Sequence, residues 1–134
     1  VSPALVSQLD FFASLGKLVG GEVPEGLDSR DYLDVLLGKT DAGREDLVLE
    51  AQGKLAYRSG QYALIPPYEG PERNITKNEL GNGPSWRLYD LTTDRGQLND
   101  VAAEKPEEVE RLKASFLSIV GDYYKPAVEE EPLK

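Results

Sequence analysis

Three apolar runs lie close together along the chain: Asp46 to Ala51, Lys54 to Arg58 and Tyr62 to Ile65. Only Gln52-Gly53 separates the first two, and only Ser59-Gly60-Gln61 the next two. A parallel crossover consumes about a dozen residues or more, so gaps this short leave only consecutive antiparallel hairpins. A fourth run, Trp86 to Leu91, is rich in the bulky side chains that suit a half-buried pleated surface. It stops where Thr92 to Gly96 supply polar side chains and a residue free to take positive φ. An antiparallel sheet of four strands is the expected centre of the fold.

Helical spacing flanks this centre on both sides. Ser7 and Asp10 stand three apart in a capping-box pattern, and Leu9, Phe12, Leu15, Leu18 and Val19 then recur on one face before Gly20-Gly21. After the turn signals Pro24 and Gly26, Ser29 is placed to cap a short second helix carrying Leu33, Leu36 and Leu37 and stopped by Gly38. Pro106, followed by Glu107 and Glu108, reads as the first turn of a last helix, whose apolar face is Val109, Leu112, Phe116, Ile119 and Val120. Gly121 weakens that helix, Pro126 stops it, and Glu129-Glu130-Glu131 reads as a solvated tail. Tyr123-Tyr124 suits either a partner surface or a hydrophobic seal. Residues 66 to 85 hold four Pro and three Gly, a long loop of the kind that is often functional. The expected class is α+β: N-terminal helical segments over 1–39, then a sheet-and-helix subdomain over 40–134 with the C-terminal helix packed on the sheet.

Charge narrows the function classes. At 134 residues the chain is the size of one domain, and its net charge of −9 argues against a nucleic-acid partner. No apolar run approaches the ~20 residues that cross a bilayer, so no membrane partner is expected. Residues 54 to 95 carry six basic and five acidic side chains, a balance of +1 against −10 for the rest, so an anionic ligand is best received there. There is no Cys and no His, which removes the thiolate nucleophile and the commonest general base and metal ligand. There is no Met either, and Val1-Ser2-Pro3 opens the chain without a charged-then-apolar leader. A piece of a longer protein is expected, a removed initiator Met being the alternative.

Leu88-Tyr89-Asp90-Leu91, Asp94, Asn99, Ala102 and Pro106 resemble the last strand and helix of type I sulfatases, the arylsulfatase-like hydrolases of the alkaline phosphatase superfamily. Those proteins read L-Y-D-L-x-x-D-P-x-E-x-x-N-L-A-x-x-x-P there. Arg95 replaces the family's Pro, Gln97 its Glu, and Asp100 a frequent Asn. Asp10, Leu18, Gly20, Pro24, Asp28, Leu33, Leu37 and Gly38 fit a second sulfatase segment, which in the family closes the catalytic domain; Ala13-Ser14 replaces Pro-Thr and Ser29 replaces Gly. Residues 58 to 65 are similar to R-x-G-x-[YW]-K-[LY]-[IL], with Ala63 in place of the Lys.

The resemblance implies a sulfuric ester hydrolase as parent, with this chain as its carboxy-terminal, non-catalytic subdomain. It implies a missing upstream catalytic domain, a sulfated small molecule or glycan as substrate, and, in the parent, Ca²⁺ and a formylglycine made from a [CS]-x-P-x-R motif. Here only Pro71-Glu72-Arg73 echoes that motif, with Glu69 at the nucleophile position, so no catalytic residue, metal ligand or cofactor is expected in this chain. Periplasmic or secreted localisation is a further implication. A free-standing binding module and a related phosphoesterase or phosphonate hydrolase parent are the alternatives.

Arg58, Arg73, Lys77 and Arg87 are the candidate substrate-binding residues. Guanidinium forks match sulfate oxygens, but for Arg58 and Arg87 a structural pairing with nearby carboxylates such as Glu50 or Asp90 is preferred. Tyr62, Trp86 and Tyr89 suit a sugar or aryl ring or the core, the latter preferred. Asp90 and Asp94 suit a cation site or the support of a turn, the latter preferred. The loop from Pro66 to Ser85 is expected beside the active-site mouth. The face of Leu9, Phe12, Leu15 and Leu18 is expected to be left apolar and to drive self-association.

Overall fold

The computed structural model describes residues 2–51 and 53–124. The chain divides into two compact units, Val1–Leu47 and Val48–Lys134.

The first unit is built around α1 (Asp10–Leu18), with a single helical turn, α2 (Leu33–Leu36), near it. The stripe that α1 buries is Asp10, Ala13 and Ser14, and this stripe is polar and small. Leu9, Phe12, Leu15 and Leu18 lie at the surface, each at least half exposed. The expectation of an uncovered apolar face matches this arrangement, and the packing that leaves it uncovered is done by hydrogen bonds. Asp10 accepts from the Ser7 N–H at 2.9 Å, which is the return half of the capping box. Ser7 Oγ accepts only from Leu9 N–H, at 3.3 Å, so the forward half is not made.

Ser29 does not cap α2. Its hydroxyl donates to the Leu9 carbonyl at 2.6 Å and accepts from the Ala13 N–H at 2.9 Å, tying the 24–29 turn back onto α1. Asp31, one residue before the N-cap Tyr32, instead holds the helix entry in an Asx turn, accepting from the Leu33 N–H at 2.9 Å. Val35 is the buried residue of α2, whereas Leu36 and Leu37 are exposed. Arg44 N–H donates to the Leu5 carbonyl at 2.7 Å, and a Cβ on the neighbouring Gly43 would stand 2.4 Å from that same oxygen. Only glycine lets the two segments approach this closely.

The second unit is an antiparallel sheet in the order β1 (Asp46–Ala51), β2 (Lys54–Ser59), β3 (Tyr62–Ile65), β4 (Arg87–Asp90). Tyr57 pairs with Leu64 and Leu64 with Leu88; in the next row Arg58 pairs with Ala63 and Ala63 with Tyr89. Side chains alternate across a sheet, so the Tyr57–Leu64–Leu88 row faces one way and the Arg58–Ala63–Tyr89 row the other, together with Ile65 and its partner Arg87. The first face is covered by α3 (Pro106–Val120), which begins on proline with Glu107 and Glu108 in its first turn. Val109, Leu112, Phe116 and Val120 close the core against that row. Ile119, expected on the same face, is exposed: the α3 stripe runs 109, 112, 116, 120 and leaves 119 outside.

Trp86, Tyr57 and Tyr124 surround Phe116, with centroids 5.8, 5.9 and 5.4 Å away. Trp86 and Tyr62 are thus core residues. Tyr124 seals the end of the core, its hydroxyl donating to the Pro67 carbonyl at 3.2 Å, whereas Tyr123 is fully outside. Burial, and after it the neighbouring Tyr68, push the Tyr124 hydroxyl up to a pKa of about 12. The turn after β4 is held as expected: Asp90 accepts from Thr92 N–H and Oγ1–H, and Asp94 from Asn99 N–H at 2.7 Å. Asp100 adds a tie that the sequence did not announce, bonding both the Leu88 and the Ala102 N–H. The residues beyond Tyr124, including Pro126 and the acidic tail, lie outside the described residues.

Candidate functional site: an arginine cleft at the foot of a folded excursion

The segment between β3 and β4 is more than a connection. Tyr68 and Gly83 exchange two backbone hydrogen bonds, at 2.9 and 3.0 Å, and Arg73 bridges to Glu79 further out. At the tip Asn74 Oδ1 accepts from Thr76 N–H, Thr76 Oγ1–H and Asn78 N–H, and Lys77 is carried over the turn at φ 65°. The expected loop is therefore an irregular hairpin, anchored below by Tyr68, whose hydroxyl accepts from the Leu55 N–H.

Where this hairpin meets the helix-free face of the sheet, a cavity of about 250 Å³ opens between Ile65, Glu79, Gly81, Arg87, Tyr89 and Gln97. Arg87 enters it from β4. Its Nη2 donates to the Asn82 carbonyl at 3.1 Å, and its charge faces Glu79 at 3.6 Å and Glu72 at 3.8 Å. Both distances exceed hydrogen-bond length, and both carboxylates are mostly solvated. The guanidinium rests on Gly83, where a Cβ would lie 2.5 Å from Nη2. Asn82, almost fully buried, donates to the Pro71 carbonyl at 2.6 Å and has no partner for its Oδ1 among the described residues. Gln97 takes φ 54° at the rim, an uncommon conformation for a residue with a Cβ.

No family model matches the chain. It is 40% identical over 120 residues to the N-acetylgalactosamine-6-O-sulfatase of Bacteroides thetaiotaomicron, an alignment covering 87% of this chain and 24% of that protein. A solved sulfatase from a Bacteroides thetaiotaomicron locus for glycosaminoglycan metabolism shares 39% identity at a TM-score of 0.80, over 88% of this chain and 25% of its own. The chain corresponds to a subdomain-sized stretch of these sulfatases. A more distant solved structure, a complex with its substrate D-glucosamine-2-N,6-O-disulfate, has the same fold at a TM-score of 0.64 and 18% identity, covering 97% of this chain and 27% of that one. The subdomain thus spans about a quarter of the length of the sulfatases it matches.

Within the subdomain the four arginine and lysine candidates fall into two groups. Arg73 and Lys77 meet at the exposed hairpin tip, where Arg73 Nη1 donates to the Lys77 carbonyl at 3.0 Å. Arg58 and Arg87 share the helix-free face of the sheet. Neither pairs with Glu50 or Asp90: Glu50 caps the β1–β2 turn through the Gly53 N–H at 2.6 Å, and Asp90 is taken up by Thr92, Gln61 and Lys105. The carboxylates facing Arg87 instead come from the hairpin. Arg58 forms no ion pair among the described residues, and its Nε is buried there without an acceptor. Tyr89, only 8% exposed, lines the cavity beside Arg87. Among the described residues no three His, Cys, Asp or Glu side chains converge.

Sequence reasoning missed the residue that organises the first unit. Arg44 donates Nε to Asp10 Oδ2 at 2.8 Å and Nη2 to Oδ1 at 2.5 Å, and reaches the Asp28 carbonyl at 2.6 Å. Burial alone would raise the Asp10 carboxyl; the hydrogen bond from Arg44, with those from the Ser7 and Arg30 N–H groups, outweighs it and holds the pKa below the ordinary carboxylate value. Bidentate pairing across 34 residues leaves no local signal in the sequence.

Proposed function

We propose that this chain is the non-catalytic subdomain of a sulfatase that acts on sulfated amino sugars or the glycans containing them, and that it buttresses a catalytic domain and borders its substrate pocket. The observation that carries this reading is 40% identity over 120 residues to a quarter of an N-acetylgalactosamine-6-O-sulfatase, in a chain without His or Cys. The nucleophile and the Ca²⁺ belong to the parent. In the parent a formylglycine would supply the nucleophile, and this chain's residues would bind and orient the sugar.

Two surfaces support the division of labour. The exposed apolar stripe of α1 suits burial against a larger domain. Arg73 and Lys77 on the hairpin tip offer positive charge in a chain that is otherwise acidic, and so tolerate a sulfated ligand. The test expresses the full-length protein and a version truncated before residue 40, and measures sulfate release from N-acetylgalactosamine 6-sulfate and from a small aryl sulfate. The truncated protein is expected to lose both, through instability. Arg73→Ala with Lys77→Ala is expected to raise KM on the sugar and leave kcat on the aryl ester nearly unchanged. Full activity without residues 40–134 would defeat the reading, as would turnover by the 134-residue chain alone.

A further inference from the structure

The basic residue inside the cleft is held there by poor partners. A guanidinium offers five N–H donors, and Arg87 commits one of them to a hydrogen bond, with the Asn82 carbonyl. Glu79 and Glu72 approach at 3.6 and 3.8 Å, too far to accept, and their side chains are 60% and 75% exposed, so water competes for both. Yet the carboxylates stand where a doubly accepting anion would stand. Gly83 keeps the floor open, since any side chain there would displace the guanidinium. Tyr89 and Ile65 add an apolar wall, and the Gln97 amide stands at the rim.

We propose that Arg87 is an exchangeable anion site in which Glu72 and Glu79 hold the place of a sulfate ester carried by a sugar, so that substrate entry swings the outer hairpin away from the sheet. The identity of the sugar rests on the function proposed above; the exchange rests on the cleft alone. A sulfate group supplies two oxygens to the fork in the bidentate geometry the carboxylates fail to reach. The sugar ring lies against Tyr89 while its hydroxyls meet the Gln97 amide. The two displaced carboxylates return to water at small cost because they are already mostly hydrated. The occupied and empty cleft thus differ in where the Glu72–Glu79 segment rests, and the substrate itself selects between them.

The 134-residue chain is titrated with N-acetylgalactosamine 6-sulfate, unsulfated N-acetylgalactosamine and inorganic sulfate, and the amide resonances of Gly81, Gly83 and Gln97 are followed. The sulfated sugar is expected to shift them and the unsulfated sugar to leave them in place. E72Q with E79Q removes the competing charges and is expected to tighten binding about fivefold. Arg87→Gln is expected to abolish it, and Arg87→Lys to retain part of it. Unchanged or weaker binding in the E72Q/E79Q variant overturns the exchange. Equal shifts with inorganic sulfate overturn the sugar assignment, and a full-length protein that still requires residues 40–134 for turnover would leave the subdomain role standing.

Discussion

Asp10 and Arg44 form the pair on which the first unit depends most at the scale of single residues. Asp10 is fully buried and the Arg44 side chain is 7% exposed, so neither can turn to water if its partner is removed. Arg44→Ala should therefore cost about 3–5 kcal/mol, the price of an uncompensated buried charge, read by denaturant unfolding followed through residues 5–44. The Asp10 pKa is depressed in the folded chain, so its contribution is present above the unfolded value, about 3.9, and is lost as pH falls through the folded one. Acid titration of the parent should open this unit below about pH 4, and Arg44→Ala should remove most of that acid transition.

Tyr124 works on the alkaline side: its pKa is raised, so stability is intact below the unfolded value of about 10 and declines as pH rises toward about 12. Absorbance at the phenolate band should show late-titrating tyrosines, Tyr124 and the buried Tyr68, with the Tyr124 ionisation coinciding with loss of the core, and Tyr124→Phe should flatten the decline. Half of the Asp10 site was legible, because Ser7 and Asp10 stand at capping-box spacing. Arg44 was not, because nothing local distinguishes it from Arg30 or Lys39.

At the scale of elements, periodicity located the strands, α1 and α3 within a residue or two and began α2 about three residues early, but did not say which stripe is buried. In α3 the apolar face and the buried face coincide, apart from Ile119. Phe116→Ala should cost about 3–5 kcal/mol by leaving a cavity among Tyr57, Trp86 and Tyr124, while Ile119→Ala should stay within about 0.5 kcal/mol; thermal unfolding of the two variants checks both. In α1 the stripes are exchanged, because Asp10 and Ser14 find backbone donors in the segment that folds over them and Leu9, Phe12, Leu15 and Leu18 find nothing. Pattern reasoning ranks residues by hydrophobicity and cannot see that a buried carboxylate is satisfied. The hairpin between β3 and β4 was hidden for a related reason: its proline and glycine count reads as loop, and its order comes from the Asn74 side chain, the Tyr68–Gly83 bridge and Arg87.

At the scale of the whole molecule, the strand runs and their short gaps specified the sheet, and the residues around Leu88–Pro106 specified its relatives. The location of the cleft was not legible, since Arg87, Glu72 and Glu79 are spread along the hairpin and only the fold-back brings them together. The uncovered face of α1 has a measurable effect at this scale. Sedimentation of the isolated chain should show concentration-dependent association, and Phe12→Ser with Leu15→Gln should return it to monomer without lowering the melting temperature, both positions being half exposed or more. A strictly monomeric isolated chain would refute the expectation. In a living cell an uncovered stripe presents phenylalanine and leucine side chains of the kind that chaperones and proteases survey, so a copy with the stripe bare is expected to be cleared faster than one in which it is covered. Helix α1 would thereby couple the lifetime of the chain to whatever covers its apolar stripe.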